Sequence, residues 1–292
     1  KGMDLELIKL YATPEFSSEQ MRLIKLGYEY GLNTEQIKLY TDPRFTPAKM
    51  REIMQGLLKL SKEQVLIYAR PDFDAYQMEQ IRLGLENGLT CDQVLLYAKP
   101  EFNNRQMEVI RRALENGINP EHIKLFARPE FDALQLQAIF SGLASGLTPE
   151  QIQIYANPVF NNKQMDEIAM GLKLNLTQEQ LELLVKPELK WTQMQEIRLG
   201  FAEGLSLDQV KLYAKFEFNA DQMREIRLGF KNGLTKEQVE FYAKPEYNWA
   251  QMEQIRLGFE NGLDFKQVSL YAKPEFDYHQ MLEIRLGLEN GL

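Results

Sequence analysis

One phrase recurs about every 29 residues from one end of this 292-residue chain to the other. Tyr11, Tyr40, Tyr68, Tyr97, Phe126, Tyr155, Leu184, Tyr213, Tyr242 and Tyr271 each open it, after a partial repeat over residues 1–10. Only the step from Tyr40 to Tyr68 is short, by one residue. A fixed period of this length marks a stacked array, in which each unit buries its apolar surface against its neighbours. Length alone would suggest about two globular domains. The repeat overrides that, and the chain reads as one array over residues 1–292.

Punctuation within the phrase gives the fold. Counting from the opening residue, position 7 is Ser17, Thr46, Asp74, Asn103, Asp132, Asn161, Asn219, Asn248 or Asp277, with Lys190 the exception. Short polar side chains of this kind cap a helix N-terminus. Gln three residues later, as in Gln77, Gln106 and Gln251, completes a capping box, and the aromatic at position 6 with Met at position 11 forms a hydrophobic staple. A first helix, A, therefore starts at position 8. It ends at position 20, before a glycine at position 21 and an apolar residue, as in Gly88-Leu89 and Gly262-Leu263, the pattern of a Schellman stop. Asn175 takes the glycine's place in repeat six, and repeat two lacks the residue. A second helix, B, opens at a cap such as Thr90, Thr148 or Ser206. It should run eight or nine residues and stop before the proline at position 4, as at Pro71, Pro100 and Pro245. The expected fold is an all-α solenoid of about ten two-helix repeats.

Two details point to tight stacking. Helix A is apolar on two sides, with Met78, Ile81 and Leu85 on one stripe and Leu83 off it, which suits a helix flanked on both sides. Position 17 is glycine in nine repeats and Ala113 in the tenth. Mid-helix glycine costs about 1 kcal/mol relative to alanine, so its recurrence suggests close backbone approach between helices.

Chemistry is hard to find. No Walker loop, nucleophile elbow or dinucleotide fingerprint is present, and one cysteine, Cys91, with two distant histidines, His122 and His279, cannot make a zinc set. The carboxylates repeat at the same positions in repeat after repeat, as structural residues do. We expect no enzyme activity, no cofactor and no metal. No apolar run approaches the length of a membrane span. A lone cysteine fits a reducing, cytoplasmic setting. The chain enters at Gly2-Met3 and stops at the equivalent Gly291-Leu292, which suggests an array cut at repeat boundaries from a longer protein.

Three features bear on partners. Position 15 carries a cation in Lys25, Arg82, Arg111, Arg198, Arg227, Arg256 and Arg285, and position 3 carries another in Arg70, Lys99, Arg128, Lys186, Lys215, Lys244 and Lys273. Even spacing of cations could track a nucleic-acid backbone, although the net charge is -8. The competing reading is local pairing, with Glu79 and Glu86 around Arg82 and Glu253 and Glu260 around Arg256. The second feature is a variable face of helix A bearing Tyr76, Leu83, Trp191, Leu199, Leu228, Trp249, Leu257, Tyr278, Leu282 and Leu286. Aromatics of this kind anchor protein interfaces. Third, repeats five and six lose the arginine to Phe140 and Ala169, and Leu134, Leu136, Ile139 and Phe140 cluster as a candidate self-association patch.

The phrase Y-A-K-P-E-F-x-x-x-Q-M-x-x-I-R-L-G-L-E-N-G-L, seen at Tyr97–Phe102 and Gln280–Leu292, resembles tandem repeats of large, uncharacterised proteins of gut Firmicutes bacteria, some encoded on mobile elements. The resemblance covers nearly the whole chain and implies a two-helix array without an established activity. The expected function is a non-catalytic scaffold for protein–protein interaction, or a spacer, within a larger protein. The alternative is a nucleic-acid-binding array using the position 15 and position 3 cations.

Overall fold

Each helix A begins where its cap was legible. In the computed structural model, which describes residues 5–291, Asp74 Oδ1 accepts from the Gln77 amide at 2.8 Å while Gln77 Oε1 accepts from the Asp74 amide at 2.7 Å. Helix A of that repeat closes with the Leu89 amide donating to the Gly84 carbonyl at 2.9 Å across Gly88, whose φ is +92°. Asn175 does the glycine's work in repeat six at φ +54°. Lys190 caps with no side-chain hydrogen bond, yet its amide still donates to Gln193 Oε1 at 2.8 Å. Gly2, Met3 and Leu292, on which the expectation of a cut array rests, lie outside the described residues.

The described residues form helices and no strand, in two compact bodies that divide between Ala144 and Ser145. The N-terminal body holds α1 (Leu5–Tyr11), α2 (Ser18–Glu29), α3 (Thr34–Lys38), α4 (Pro47–Leu57), α5 (Lys62–Leu66), α6 (Ala75–Glu86), α7 (Cys91–Leu95), α8 (Asn104–Glu115), α9 (Pro120–Phe126) and α10 (Ala133–Ala144). The C-terminal body holds α11 (Pro149–Gln153), α12 (Asn162–Lys173), α13 (Gln178–Leu184), α14 (Trp191–Ala202), α15 (Leu207–Tyr213), α16 (Ala220–Lys231), α17 (Lys236–Tyr242), α18 (Trp249–Glu260), α19 (Phe265–Tyr271) and α20 (Tyr278–Glu289). Even numbers are helices A and odd numbers are helices B. In the N-terminal body α2, α4, α6, α8 and α10 pack side by side in chain order. In the C-terminal body α12, α14, α16, α18 and α20 do the same, and α13, α15, α17 and α19 each touch the helix A before and the helix A after. This is solenoid-like stacking of an all-α array.

Helix B is shorter than expected, at five residues in α3, α5, α7 and α11 and seven in α9, α13, α15, α17 and α19. In the five-residue form the last turn tightens. The Leu96 amide donates to Gln93 and the Tyr97 amide to Val94, three residues back rather than four.

The recurring glycine at position 17 makes room for a side chain, not for a second backbone. A methyl group on Gly229 would overlap the Tyr242 hydroxyl and lie 3.3 Å from its Cζ. That hydroxyl crosses the glycine to donate to the Glu225 carbonyl at 3.1 Å. Tyr97 reaches Gln80, Tyr213 reaches Glu196 and Tyr271 reaches Gln254 in the same way. The one alanine at this position, Ala113, stands thirteen residues before Phe126, the one opening residue that is phenylalanine. Where the hydroxyl is absent, the methyl group is tolerated.

The capping glutamine has a second use. Its Oε1 closes the capping box, which leaves Nε2 free to reach the next repeat. Gln222 Nε2 donates to the Tyr247 carbonyl at 2.7 Å and the Pro245 carbonyl at 3.2 Å. Gln77 does the same with Phe102 and Pro100. Gln222→Glu keeps the acceptor and removes both donors, turning a carboxylate toward two carbonyls. We expect it to destabilise the chain by about 2–3 kcal/mol. Gln280→Glu, at an exposed position 10, should cost less than about 0.5 kcal/mol, as surface substitutions do. Urea unfolding of the two variants checks the contrast.

Candidate functional site

Position 15 lies on the side of helix A that faces the preceding helix A, and its guanidiniums are spent there. Arg227 Nε donates to Glu196 Oε2 at 2.7 Å, and its Nη1 pairs with Glu203. Arg256 Nε donates to Glu225 at 2.9 Å and Nη1 to Glu260 at 2.9 Å. Arg82 bonds Glu52 and Glu86, Arg111 bonds Gln80 and Glu115, Arg198 bonds Glu167, and Arg285 bonds Gln254 and Glu289. The Arg227 side chain is only 7% exposed. Burial opposes its charge, but the carboxylates of Glu196 and Glu203 outweigh burial and hold its pKa above the ordinary guanidinium value.

The expected local pairs are half right. Glu86 and Glu260, one turn after the arginine, bond it as expected. In place of Glu79 and Glu253 the second partners are Glu52 and Glu225, from the preceding repeat. Position 13 of the preceding helix A points at the arginine.

The two positions are substituted together. Six times a Glu or Gln at position 13 faces an arginine in the following repeat. Where Met54 replaces the arginine, Leu23 stands at the matching place, and both are buried. Phe140 is matched by Val109 in the same way, at a spacing of 31 residues. A guanidinium is buried only where an acceptor is buried with it, as the cost of a lone buried charge requires.

A further row joins the ends of neighbouring helices A. The amides of Asn87, Asn232 and Asn261 donate to Glu115, Glu260 and Glu289, each 28 residues on. Between α14 and α16 the polarity is reversed, with Glu203 accepting from Lys231 at 2.7 Å. The position 3 cations are more open. Arg70 bonds Asp72 and lies 5.1 Å over the Phe73 ring, and Arg128 lies 4.6 Å over Phe131.

Residues of the proposed helix A face are placed unevenly. Tyr76, at 68% exposure, is open, as are Trp249, Tyr278 and Leu286. Leu83, Leu199, Leu228, Leu257 and Leu282 are half-buried along the seams, and Trp191 is half-buried with Lys163 Nζ 4.7 Å from its ring. Of the Leu134–Phe140 cluster only Leu134 is exposed, because Leu136, Ile139 and Phe140 belong to the core. Sequence reasoning missed Phe216, which at 79% is the most exposed large apolar side chain described. It stands at position 4, where the other nine repeats have proline. That single departure was the available signal.

Among the described residues, no three metal-ligating side chains come together. None of the described helices is long and apolar enough to cross a membrane. The chain matches no protein-family model, no curated protein and no solved structure.

Proposed function

We propose that the chain is a non-catalytic repeat scaffold that binds protein partners or spaces them within a larger protein. The observation that carries this is a division of labour between recurring and varying residues. The recurring arginines are enclosed in ion pairs between repeats. The exposed aromatics Tyr76, Trp249 and Tyr278 sit where the repeats differ, and Phe216 replaces a proline that the other nine repeats share. Variable exposed aromatics on a regular frame suit partner recognition, since Trp and Tyr supply much contact area with little entropy to lose. The free Cys91 suits a reducing compartment such as the cytoplasm.

The alternative, phosphate tracking, would fall to the position 3 cations and the exposed Lys25, because buried, paired guanidiniums are not available to a ligand. Fluorescence anisotropy with random single-stranded and duplex DNA and RNA separates the two. The scaffold reading expects no binding at low salt. Binding that weakens steeply as salt rises would overturn it, since that slope counts released counterions.

A further inference from the structure

The junction between α8 and α10 departs from the repeat in four coordinated ways, and the result is an open cleft of about 430 Å³. At regular junctions the second helix contributes an arginine, a leucine and a glutamate at positions 15, 16 and 19, as Arg256, Leu257 and Glu260 do in α18. In α10 these positions hold Phe140, Ser141 and Ala144, and the acceptor at position 13 of α8 is Val109. All four residues line the cleft.

The exchanges remove an isobutyl group, the position 19 carboxylate and the arginine with its position 13 acceptor. Their former neighbours are still there. Asn116, which also lines the cleft, occupies the place of Asn87 and Asn261, whose amides donate to Glu115 and Glu289. Its own counterpart at that spacing is Ala144. Ile118 occupies the place of Leu89 and Leu263, which are buried, but it is half-uncovered. Arg105 and Arg112 complete the rim, Arg112 paired at 2.7 Å with Glu108 across an exposed face. Two guanidiniums against one carboxylate leave the rim with a positive excess.

We propose that this cleft is a binding site for a small-molecule carboxylate with an apolar tail. The tail covers Val109 and Ile118 over the edge of the buried Phe140, where the leucine of a regular junction would lie. The carboxylate accepts from the Asn116 amide and the Arg112 guanidinium, as Glu115 accepts from Asn87 and Arg111. The volume is in the range of small-ligand sites.

Isothermal titration calorimetry of the full chain with sodium decanoate, below its micelle concentration, tests this. We expect one saturable site, decanol weaker by at least about tenfold, and Arg112→Gln weaker by about tenfold, the worth of one charge-assisted hydrogen bond. Val109→Gln, Phe140→Arg, Ser141→Leu and Ala144→Glu together rebuild the regular junction and should abolish binding. Should that variant fail to fold, Ser141→Leu alone narrows the cleft. Methyl NMR of the unaltered chain should then shift Val109 and Ile118 on decanoate addition. Equal affinity for decanol, binding that survives the rebuilt junction, or no saturable heat would each overturn the assignment. So would heats that follow self-association of the chain rather than ligand occupancy.

Discussion

Arg227→Met should destabilise the chain by about 3–5 kcal/mol, the usual cost of leaving one partner of a buried ion pair behind. The stranded group is the Glu196 carboxylate, whose side chain is 11% exposed and which now bonds Arg227 Nε at 2.7 Å. Glu203 is less affected, because Lys231 still holds it at 2.7 Å. Adding Glu196→Leu should recover most of the loss. The double variant reproduces a junction the chain already contains, where Leu23 and Met54 are 1% and 3% exposed. Replacing a buried ion pair with packed apolar residues is often neutral, so the double variant should lie within about 1–2 kcal/mol of the unaltered chain. The coupling energy in the double-mutant cycle, measured from urea midpoints, should reach about 2 kcal/mol or more. Additive effects would mean that the pair is incidental.

Gly229→Ala should destabilise by about 1–3 kcal/mol, against its intrinsic preference. On an isolated helix the change would stabilise by about 1 kcal/mol. Here the new methyl group takes the space of the Tyr242 hydroxyl. Expelling it costs packing strain of about 1–3 kcal/mol and the hydrogen bond to Glu225, about 1 kcal/mol more. Tyr242→Phe alone should cost about 1 kcal/mol. Combined with Gly229→Ala it should be milder than Gly229→Ala alone, because the pair copies Ala113 and Phe126. Thermal unfolding of the three variants checks the order. If Tyr242→Phe brought no rescue, the glycine would be serving helix–helix approach after all.

The fold was legible because its signals are local. A cap, a staple, a left-handed glycine and a proline each act within a few residues, and ten copies repeat them. What could not be read lay between repeats. The arginine's second partner stands about 31 residues away, so a search within one helix stopped at Glu79 and Glu253. Gln77 reads as a capping residue, but its second hydrogen bond reaches into the next repeat. The glycine at position 17 suggests backbone approach because its partner, a tyrosine hydroxyl thirteen residues on, lies beyond the glycine's helix. Comparing repeats with one another would have exposed the arginine's partner and the glycine's. Ala113 changes with Phe126, Met54 with Leu23, and Phe140 with Val109. The helix A leucines divided differently. Their spacing placed them off the main stripe, and stacking then covered about half of each, which spacing alone does not specify.

The position 15 arginines bind their own array. Chain labelled with ¹⁵N-arginine reports on it directly, through the water exchange of each Nε–H. Six slowly exchanging Nε–H signals are expected, from Arg82, Arg111, Arg198, Arg227, Arg256 and Arg285, whose Nε atoms are hydrogen-bonded between repeats. Exposed Arg105 and Arg224 should exchange rapidly, and the six should not shift when DNA is added. Rapid exchange at all arginines, with shifts of the six on DNA addition, would contradict it.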